Sequence, residues 1–333
     1  MSTLWLGVDM SKADFMAEVV ADQEVTLGKF DNETTGFEQL AAQVALLEPA
    51  ATNTVHLVIE PTGGYELALV AFAYEQGWQV SLPNPKQVRD WAKGRGQRAK
   101  TDGQDARILA RYGATCQPQP QAPLPCEVSE LDSLLKRRRD LEQLMQQEQN
   151  RLQELRGRPG IAAPVLDSLA QVLEALQEAL CQVEEAIAAH LRHHAHLQQA
   201  MTRLLALPGI GPKIVLPLVV LLYRWQTLTN GDGSAKGLTA MVGLDPKTHV
   251  SGRSVFRHPA ISKMGNAEMR RLLYMGALSA VHGHNPLHIF YERLVGRGKA
   301  RKLAVVAAAR KLLTWAWVIF SRQSTWNPEF HAS

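Results

Sequence analysis

Apolar residues follow two different periods along the first 115 residues of this 333-residue chain. Some runs are continuously apolar or alternate with polar positions, which is typical of β-strands, and others have helical spacing. The predicted strands are Leu4–Val8, Phe15–Val20, Val25–Phe30, Val55–Ile59 and Gln79–Leu82, and the predicted helices are Gly36–Leu47 and Tyr65–Gln76. The pattern predicts an α/β domain over residues 1–125, which ends in a Pro-rich extended linker at Gln117–Pro125.

The middle of the chain changes to a heptad period, in which apolar residues recur at alternating intervals of three and four. One seam runs from Leu131 to Leu155 and a second from Leu166 to Ile187, with Gly157–Pro164 between them. We therefore expect an antiparallel coiled-coil hairpin over residues 126–197. Its seams suit packing within the chain or dimerisation, and the sequence favours neither.

A third, mostly helical domain is predicted for residues 198–333. Its last apolar stretch, Leu303–Phe320, is interrupted by Arg310 and Lys311, which indicates an amphipathic helix rather than a membrane span. The N-terminal residues do not have the pattern of a secretory signal. We expect a soluble, cytoplasmic protein that does not associate with membranes.

Basic charge is concentrated in two places. Residues 86–101 carry six basic side chains and one acid, and residues 251–333 carry thirteen Lys and Arg against three acids. Such clusters favour a polyanionic partner, although the first is explained equally well as a solvated, mobile loop. The three cysteines lack CxxC spacing and a histidine at ligand spacing, so neither a structural zinc site nor a disulfide framework is expected.

Four carboxylates occupy positions that call for an explanation. Asp9 ends the first predicted strand, and Glu60 ends the fourth, in front of a glycine-rich turn. A carboxylate after an apolar run is costly unless it is exposed, paired or bound to a metal. Asp102 and Asp105 lie on one face of the first turn of a predicted helix, Asp102–Tyr112.

Two strand-end acids and a helical pair make an arrangement that binds two divalent cations. Hard oxygen ligands favour Mg²⁺ or Mn²⁺. Two such ions about 4 Å apart stabilise the attacking and leaving oxygens of a phosphoryl transfer. Taken singly, the acids have simpler explanations, because Asp102 suits a helix N-terminus and Asp9 can cap a turn.

A Pro-Gly-Ile-Gly-Pro motif at residues 208–212 precedes an apolar helix, Ile214–Tyr223. Gly209 and Gly211 allow a tight turn whose N–H groups approach phosphate closely, as in helix-hairpin-helix DNA-binding motifs, with Lys213 beside them. The alternative is a turn that only packs two helices.

Together these motifs resemble the DEDD family of insertion-sequence transposases, which is related to the Piv DNA invertases. The N-terminal domain of that family is similar to the Holliday-junction resolvase RuvC, and the predicted element order is the one that a ribonuclease H-like core uses. The matching motifs span nearly the whole chain: Gly7-Val-Asp9, Glu60-Pro-Thr-Gly-Gly-Tyr65, Lys100-Thr-Asp102-Gly-Gln-Asp105-Ala-Arg107, Leu207-Pro-Gly-Ile-Gly211, Gly243-Leu-Asp-Pro246, Ser251-Gly-Arg-Ser254, Lys263-Met-Gly265 and Arg270-Arg271.

The resemblance implies a metal-bound tetrad of Asp9, Glu60, Asp102 and Asp105, and a nucleophilic serine, Ser251, that joins the protein covalently to DNA. It also implies guidance by a structured bridge RNA encoded by the element itself. As an isolated residue, Ser251 is indistinguishable from a surface-loop serine. The candidate contacts to nucleic acid are Lys100, Arg107, Gly209, Gly211, Lys213, Arg253, Arg257, Lys263, Arg270 and Arg271.

Two rival functions fit the same residues. The first is a RuvC-like endonuclease that uses water as its nucleophile and leaves no protein on the DNA. The second is a non-catalytic nucleic-acid-binding scaffold in which the acids are caps. For the recombinase we expect donor and target DNA, the guide RNA and further copies of the chain, as a homodimer or larger oligomer, as partners.

Overall fold

The computed structural model describes residues 3–21, 23–47, 54–96, 102–247, 250–251, 255–256 and 260–329. The chain divides into two compact units, unit 1 (Met1–Pro123) and unit 2 (Leu124–Ser333). The side chains of residues 102, 103 and 247–260 also lie outside the described part.

Unit 1 is built on a five-stranded sheet in the order β3-β2-β1-β4-β5. The strands β1, β2 and β3 pair antiparallel, whereas β4 pairs parallel with β1, and β5 parallel with β4. The strands are β1 (Thr3–Met10), β2 (Asp14–Val20), β3 (Glu24–Asp31), β4 (Thr54–Ile59) and β5 (Gln79–Ser81), and the helices are α1 (Thr34–Leu46), α2 (Leu67–Glu75), α3 (Pro85–Gly94) and α4 (Asp102–Cys116). Each strand and helix predicted from apolar periodicity in this region is present.

Alternation along β1 separates two faces of the sheet. Leu6, Val8 and Met10 are buried in one apolar cluster with Phe37 and Leu40 of α1. Successive side chains of a strand point to opposite faces. Residues 5, 7 and 9 therefore face the other side, against which α4 packs.

The prediction of a mobile loop over residues 86–101 was wrong for residues 86–94, which belong to helix α3. Residues 97–101 lie outside the described part of the chain. Asn84 caps this helix by accepting a hydrogen bond from the Lys86 N–H at 2.9 Å, and Pro85 occupies the first turn. An Asn-Pro pair is a favourable helix start. Buried Val88 anchors the helix, which outweighs the solvation preference of its basic residues.

The Pro-rich stretch expected to be a spacer is tied to unit 1 in its first half. Tyr74 Oη donates to the Gln121 carbonyl at 3.0 Å, and the Gln121 N–H donates to the Val80 carbonyl at 2.8 Å. Ser81 Oγ donates to the Gln119 carbonyl at 2.9 Å. These bonds hold residues 119–121 along the edge of the sheet, and unit 1 accordingly ends at Pro123.

Unit 2 is mostly helical. Its helices are α5 (Cys126–Leu155), α6 (Ala163–His193), α7 (Ala195–Leu205), α8 (Pro212–Leu228), α9 (Ala235–Val242), α10 (Ala267–Ala280), α11 (Pro286–Gly296) and α12 (Arg301–Ser321). Between α9 and α10 lie four two-residue strands, β6 (Pro246–Lys247), β7 (Val250–Ser251), β8 (Val255–Phe256) and β9 (Ala260–Ile261).

Helices α5 and α6 pack against each other across a short connection. Their predicted seam residues form the buried or half-buried stripe of each helix. At the base of the pair, Leu131 and Leu135 of α5 share one core with Ile187 and Leu191 of α6 and with α8 and α12. The coiled-coil geometry of the pair stays a prediction.

Helix α12 lies in the middle of the unit 2 core. By length and composition it is the one described helix that could cross a membrane, and 61% of its most apolar window is buried within the structure. Trp315 and Trp317 are core residues. Helices α7 to α11 all pack on α12. Its buried positions alternate at helical spacing with half-buried ones that include Arg310 and Lys311, which is the two-sided pattern expected of an amphipathic helix.

Candidate active site

Two of the predicted acids follow adjacent parallel strands. β1 and β4 are in register with Val8 opposite Ile59, so Asp9 and Glu60 come next on the two strands. Neighbouring strands lie about 4.8 Å apart. Both side chains are half-buried, and the pairing brings their carboxylates to one end of the sheet.

Helix α4 runs antiparallel to β1 at very close range. A Cβ on Gly113 would lie 2.6 Å from Trp5, and a Cβ on Gly7 would lie 2.9 Å from the Ala110 Cα and nearer still to the Ala106 carbonyl. Two strand residues advance about 6.6 Å, which corresponds to four or five residues of helix. Asp9 therefore lies beside the first turn of α4, which contains Asp105 and begins at Asp102.

Small residues make this approach possible. The contact is formed by Gly7, Ala106 and Ala110, and the two alanines are at most 1% exposed. A larger side chain at any of them would lift the helix from the strand. The Gly7-Val-Asp9 and Asp105-Ala-Arg107 motifs thus combine an acid with the small residue that positions it.

The turn that follows Glu60 is held by Glu66, a residue that the sequence analysis missed. Glu66 is buried, and its Oε2 accepts hydrogen bonds from the N–H groups of Thr62 and Gly64, both at 2.9 Å. Gly63 and Gly64 have φ of 74° and 109°, which favour glycine. The signal was a second Glu six residues after Glu60, behind paired glycines.

Asn32 links two loops at the same end of the sheet. Its Nδ2 donates to the Ser11 carbonyl at 3.3 Å and to the Tyr65 carbonyl at 3.2 Å. Ser11 follows Asp9 by two residues, and Tyr65 closes the turn after Glu60. Asn32 therefore positions the segments that carry both strand-end acids.

Basic residues of α4 pair with acids of β2 and β3. Arg107 Nε donates to Glu18, which is 1% exposed, and Arg111 makes two 2.7 Å hydrogen bonds to Glu24. The Arg111 guanidinium lowers the pKa of Glu24 through these bonds. Arg107 was predicted to contact phosphate, and the structure places its Nε on Glu18. These ion pairs hold α4 against the strands that position Asp9.

The donor set suits a hard divalent cation. Asp9, Glu60 and Asp105 supply carboxylate oxygens from a strand, a turn and a helix of one unit, and Asp102 begins that helix. Mg²⁺ and Mn²⁺ prefer such oxygens, and half-buried carboxylates brought together repel one another without a cation. The residues present fit the predicted metal.

Ser251 lies in unit 2, in a strand pair within the α9–α10 connection. β7 pairs with β8, with Ser251 opposite Val255, and β6 pairs with β9. The two ends of the α9–α10 connection are in close contact. Ser262 Oγ donates a hydrogen bond to Asp245, and a Cβ on Gly243 would lie 2.6 Å from the Met264 backbone N. The side chain of Ser251, and all of Lys100, Arg253 and Arg257, lie outside the described residues.

A basic cavity of about 320 Å³ lies among α5, α8 and α10 of unit 2. Its charged lining residues are Lys136, Arg138, Arg139, Lys213, Arg224 and Arg271, against Asp132, Glu142 and Glu268. Arg138 Nε is buried and has no hydrogen-bond partner within the described part of the chain. A buried, unsatisfied guanidinium N–H is costly, and a phosphate oxygen is the ligand that would satisfy it. Lys213 and Arg271 were predicted from the sequence, whereas Arg224 and the three basic residues of α5 were not.

Other predicted nucleic-acid contacts have packing roles in this unit. Gly209 has φ of 86°, and a Cβ there would collide with the Gly276 carbonyl of α10. Arg270 Nη1 donates to the carbonyls of Val242 and Gly265 at 3.0 and 2.6 Å. Gly211 is the N-cap of α8 and has open space around it, and Lys263 is exposed with φ of 55°. Of these four residues, Gly211 and Lys263 therefore remain open to a ligand.

Comparison with known proteins gives matches to both halves of the chain. Residues 6–155 match the model of DEDD transposases of the IS110 type, described as a transposase, and residues 201–292 match the model described as the transposase IS116/IS110/IS902 family. Over 336 aligned residues the chain is 30% identical to the pilin gene-inverting protein of Moraxella bovis, covering 99% of this chain and 100% of the relative.

Two further relatives match over shorter stretches. A probable family 20 transposase of Pseudomonas aeruginosa is 29% identical over 174 residues, 51% of this chain and 48% of the relative. An insertion element IS110 protein of Streptomyces coelicolor is 29% identical over 154 residues, 45% of this chain and 35% of the relative. Each of these two matches covers about half of the chain, so the full-length match carries most weight.

Proposed function

Because this chain belongs to the family of IS110 transposases and pilin gene-inverting proteins, we propose that it cuts and rejoins DNA strands in the transposition of an insertion sequence. The observation that carries the proposal is the arrangement of Asp9 and Glu60 at the ends of adjacent parallel strands, with the first turn of α4 beside them. The strand order 3-2-1-4-5 supports a ribonuclease H-like, RuvC-like unit 1.

The tetrad of Asp9, Glu60, Asp102 and Asp105 would hold Mg²⁺ or Mn²⁺. When bound, such a cation neutralises the charge that develops on the attacking and leaving oxygens of a phosphoryl transfer. The chain's own contribution is to fix the carboxylates: Gly7 admits α4, Glu66 and Asn32 hold the loops, and Arg107 and Arg111 anchor the helix.

Ser251 is the proposed nucleophile. Its Oγ forms a bond to a DNA phosphorus, the bond from that phosphorus to one strand oxygen breaks, and the hydroxyl proton passes to the released strand end. The phosphodiester energy is kept in the serine–DNA ester, so the reverse attack by another strand end rejoins DNA without an added energy source. Arg253 and Arg257 would neutralise the phosphate.

Two variants test the roles of the tetrad and the serine. Glu60→Gln is expected to lower strand cleavage at least about 100-fold, whereas Glu38→Gln, at an exposed position of α1, leaves it unchanged. Ser251→Ala is expected to abolish the covalent protein–DNA adduct trapped by denaturation. Adducts formed by Ser251→Ala would remove Ser251 from the mechanism. Metal-dependent cleavage without any adduct in the wild type would favour the RuvC-like nuclease.

We further propose that a complete active site combines a tetrad from one subunit with Ser251 from another. The tetrad and Ser251 belong to different units, separated along the chain by the long helices α5 and α6. Mixing Glu60→Ala with Ser251→Ala subunits is the test. Recovery of strand exchange supports a shared site, and failure to recover it, when each variant still assembles with wild type, contradicts it.

Guidance by a bridge RNA is the part of the proposal that rests on the family resemblance, with support from the basic cavity of unit 2. Neutralised phosphates contribute strongly to binding of either nucleic acid. RNA that co-purifies with the chain and maps to the DNA beside its coding sequence is expected. Recombination by RNA-free protein would contradict guidance. We propose that the protein acts as a homo-oligomer in the bacterial cytoplasm.

A further inference from the structure

Three potential metal ligands of unit 2 converge where α6 ends and α7 begins. His190 lies in the last turn of α6, His194 is the junction residue, and Glu130 lies on the second turn of α5. One ligand atom from each lies within 4.8 Å of the others. About 60 residues separate Glu130 from the histidines in sequence, so only the packing of α5 on α6 brings them together.

The ring of His190 is oriented for coordination. Its Nε2 lies 2.8 Å from the Glu127 carbonyl oxygen, which can only accept, so Nε2 carries the proton. In the neutral ring the lone pair is then on Nδ1, which faces Glu130 Oε2 at 3.6 Å, beyond hydrogen-bond distance. Metal-bound histidines commonly donate their second ring N–H to a backbone carbonyl in this way.

A neutral Nδ1 and a carboxylate oxygen that face each other are both acceptors. Their separation of 3.6 Å is unfavourable for two lone pairs but close to the edge of a tetrahedral zinc site, about 3.4 Å for bonds near 2.1 Å. A cation between the two atoms removes the conflict. The His190 side chain is 10% exposed, so water has little access to its ring, whereas the Glu130 side chain is 57% exposed.

His194 completes the set. It follows His190 by four residues, the spacing that lets two imidazoles of one helical segment bind one ion, and the ring centroids are 4.4 Å apart. Its position is fixed because its N–H donates to the His190 carbonyl and its carbonyl accepts from Leu197 and Gln198. The C-terminal end of α6 also favours a cation.

We infer that His190, His194 and Glu130 form a binding site for Zn²⁺. Two imidazoles and one carboxylate with a free fourth position are a known zinc donor set, and imidazole favours zinc over Mg²⁺. Since the ligands come from α5 and from the α6–α7 junction, the ion fastens the base of the α5–α6 pair to the rest of unit 2. The expectation that the chain lacks a structural zinc site was drawn from the three cysteines, from their spacing and from the lack of a histidine at ligand spacing from them.

The site is tested with the full chain, stripped by a chelator and then titrated with Zn²⁺ in excess Mg²⁺, which occupies the tetrad. One equivalent of zinc per chain is expected. Binding should weaken at least about 100-fold in His194→Gln and Glu130→Gln. Zinc at about 100 times its Kd should raise the Tm of the wild type by about 5–10 °C. Glu130 is 57% exposed, so its variant should fold.

His193→Gln is the matched control. His193 lies beside His194, but its Nδ1 turns back to the Ala189 carbonyl at 2.7 Å, so zinc binding should not change. Glu60→Gln should also keep the zinc, which separates this site from the proposed catalytic tetrad. A wild type that binds no zinc, variants of His194 and Glu130 that bind it like wild type, or loss of binding in His193→Gln would each overturn the assignment.

Discussion

Substituting Gly7 by alanine tests whether the close approach of α4 to β1 positions the acids of the proposed tetrad. The new Cβ would lie 2.9 Å from the Ala110 Cα and nearer to the Ala106 carbonyl oxygen and the Ala110 N. Ordinary contacts begin at 3.4 Å. All three atoms belong to the backbone, so no side-chain rotation relieves the clash, and α4 must withdraw from β1 by about 1 Å.

The displacement carries Asp102 and Asp105 away from Asp9, because the acids lie one turn before the contact. A shift of about 1 Å in a catalytic group costs roughly 100-fold in rate, and overpacking costs about 1–3 kcal/mol in the free energy of unfolding. We expect a loss of recombination far larger than the loss of folded protein.

The assay is a recombination reporter that carries the DNA flanking the coding sequence, read together with urea unfolding and a Mn²⁺ titration. Spreading the carboxylates should weaken metal binding, so Gly7→Ala should need more Mn²⁺ than wild type for half-maximal activity. Gly94→Ala is the control, since nothing lies within 4 Å of a Cβ at that helical position. Wild-type activity and metal dependence in Gly7→Ala would refute the assignment of Gly7 as a positioning residue.

Three further predictions concern the stability of unit 1. Arg107→Ala should lower the free energy of unfolding in urea by about 3 kcal/mol, because the buried Glu18 carboxylate loses its cationic partner. In a Glu18→Gln background the same substitution should lower it much less. Asn84→Ala should lower the free energy of unfolding by about 1 kcal/mol, because α3 loses its N-cap hydrogen bond. Asn84→Asp should keep that bond and its stability. Equal losses of stability in the two variants would contradict a capping role. Burial lowers the pKa of His56 from 6.5 to about 4, so the folded state resists a proton that the unfolded chain accepts. The contribution of His56 to the free energy of unfolding is therefore fully present above pH 6.5 and is lost, by up to about 3 kcal/mol, as the pH falls toward 4. His56→Leu should reduce this dependence of stability on pH.

The packing of α3 shows why local sequence signals can conflict. Six basic residues in residues 86–101 indicated a solvated loop, and the sequence analysis missed the helix signal of Asn84-Pro85 and the apolar positions Val88 and Trp91. The structure follows the second signal, because Val88 is buried and the Trp91 ring meets Tyr112 of α4 edge-on at 5.6 Å. The charged residues indicate which side of a helix or strand faces water. The N-cap and the buried positions determine whether the segment is a helix or a loop.

The sequence by itself determined the five strands of unit 1, its helices α1, α2 and α4, and the position of Asp9 and Glu60 at strand ends. These features depend on periods of two and 3.6 residues and on turn residues, all of which act within a few positions. Tertiary structure alone decided the contact of Gly7 with α4, the hydrogen bonds of Asn32 to Ser11 and Tyr65, and the meeting of Glu130 with His190 and His194. Each of these joins residues from separate elements, and their proximity follows from which apolar faces pack together, a choice that no local pattern in the chain encodes.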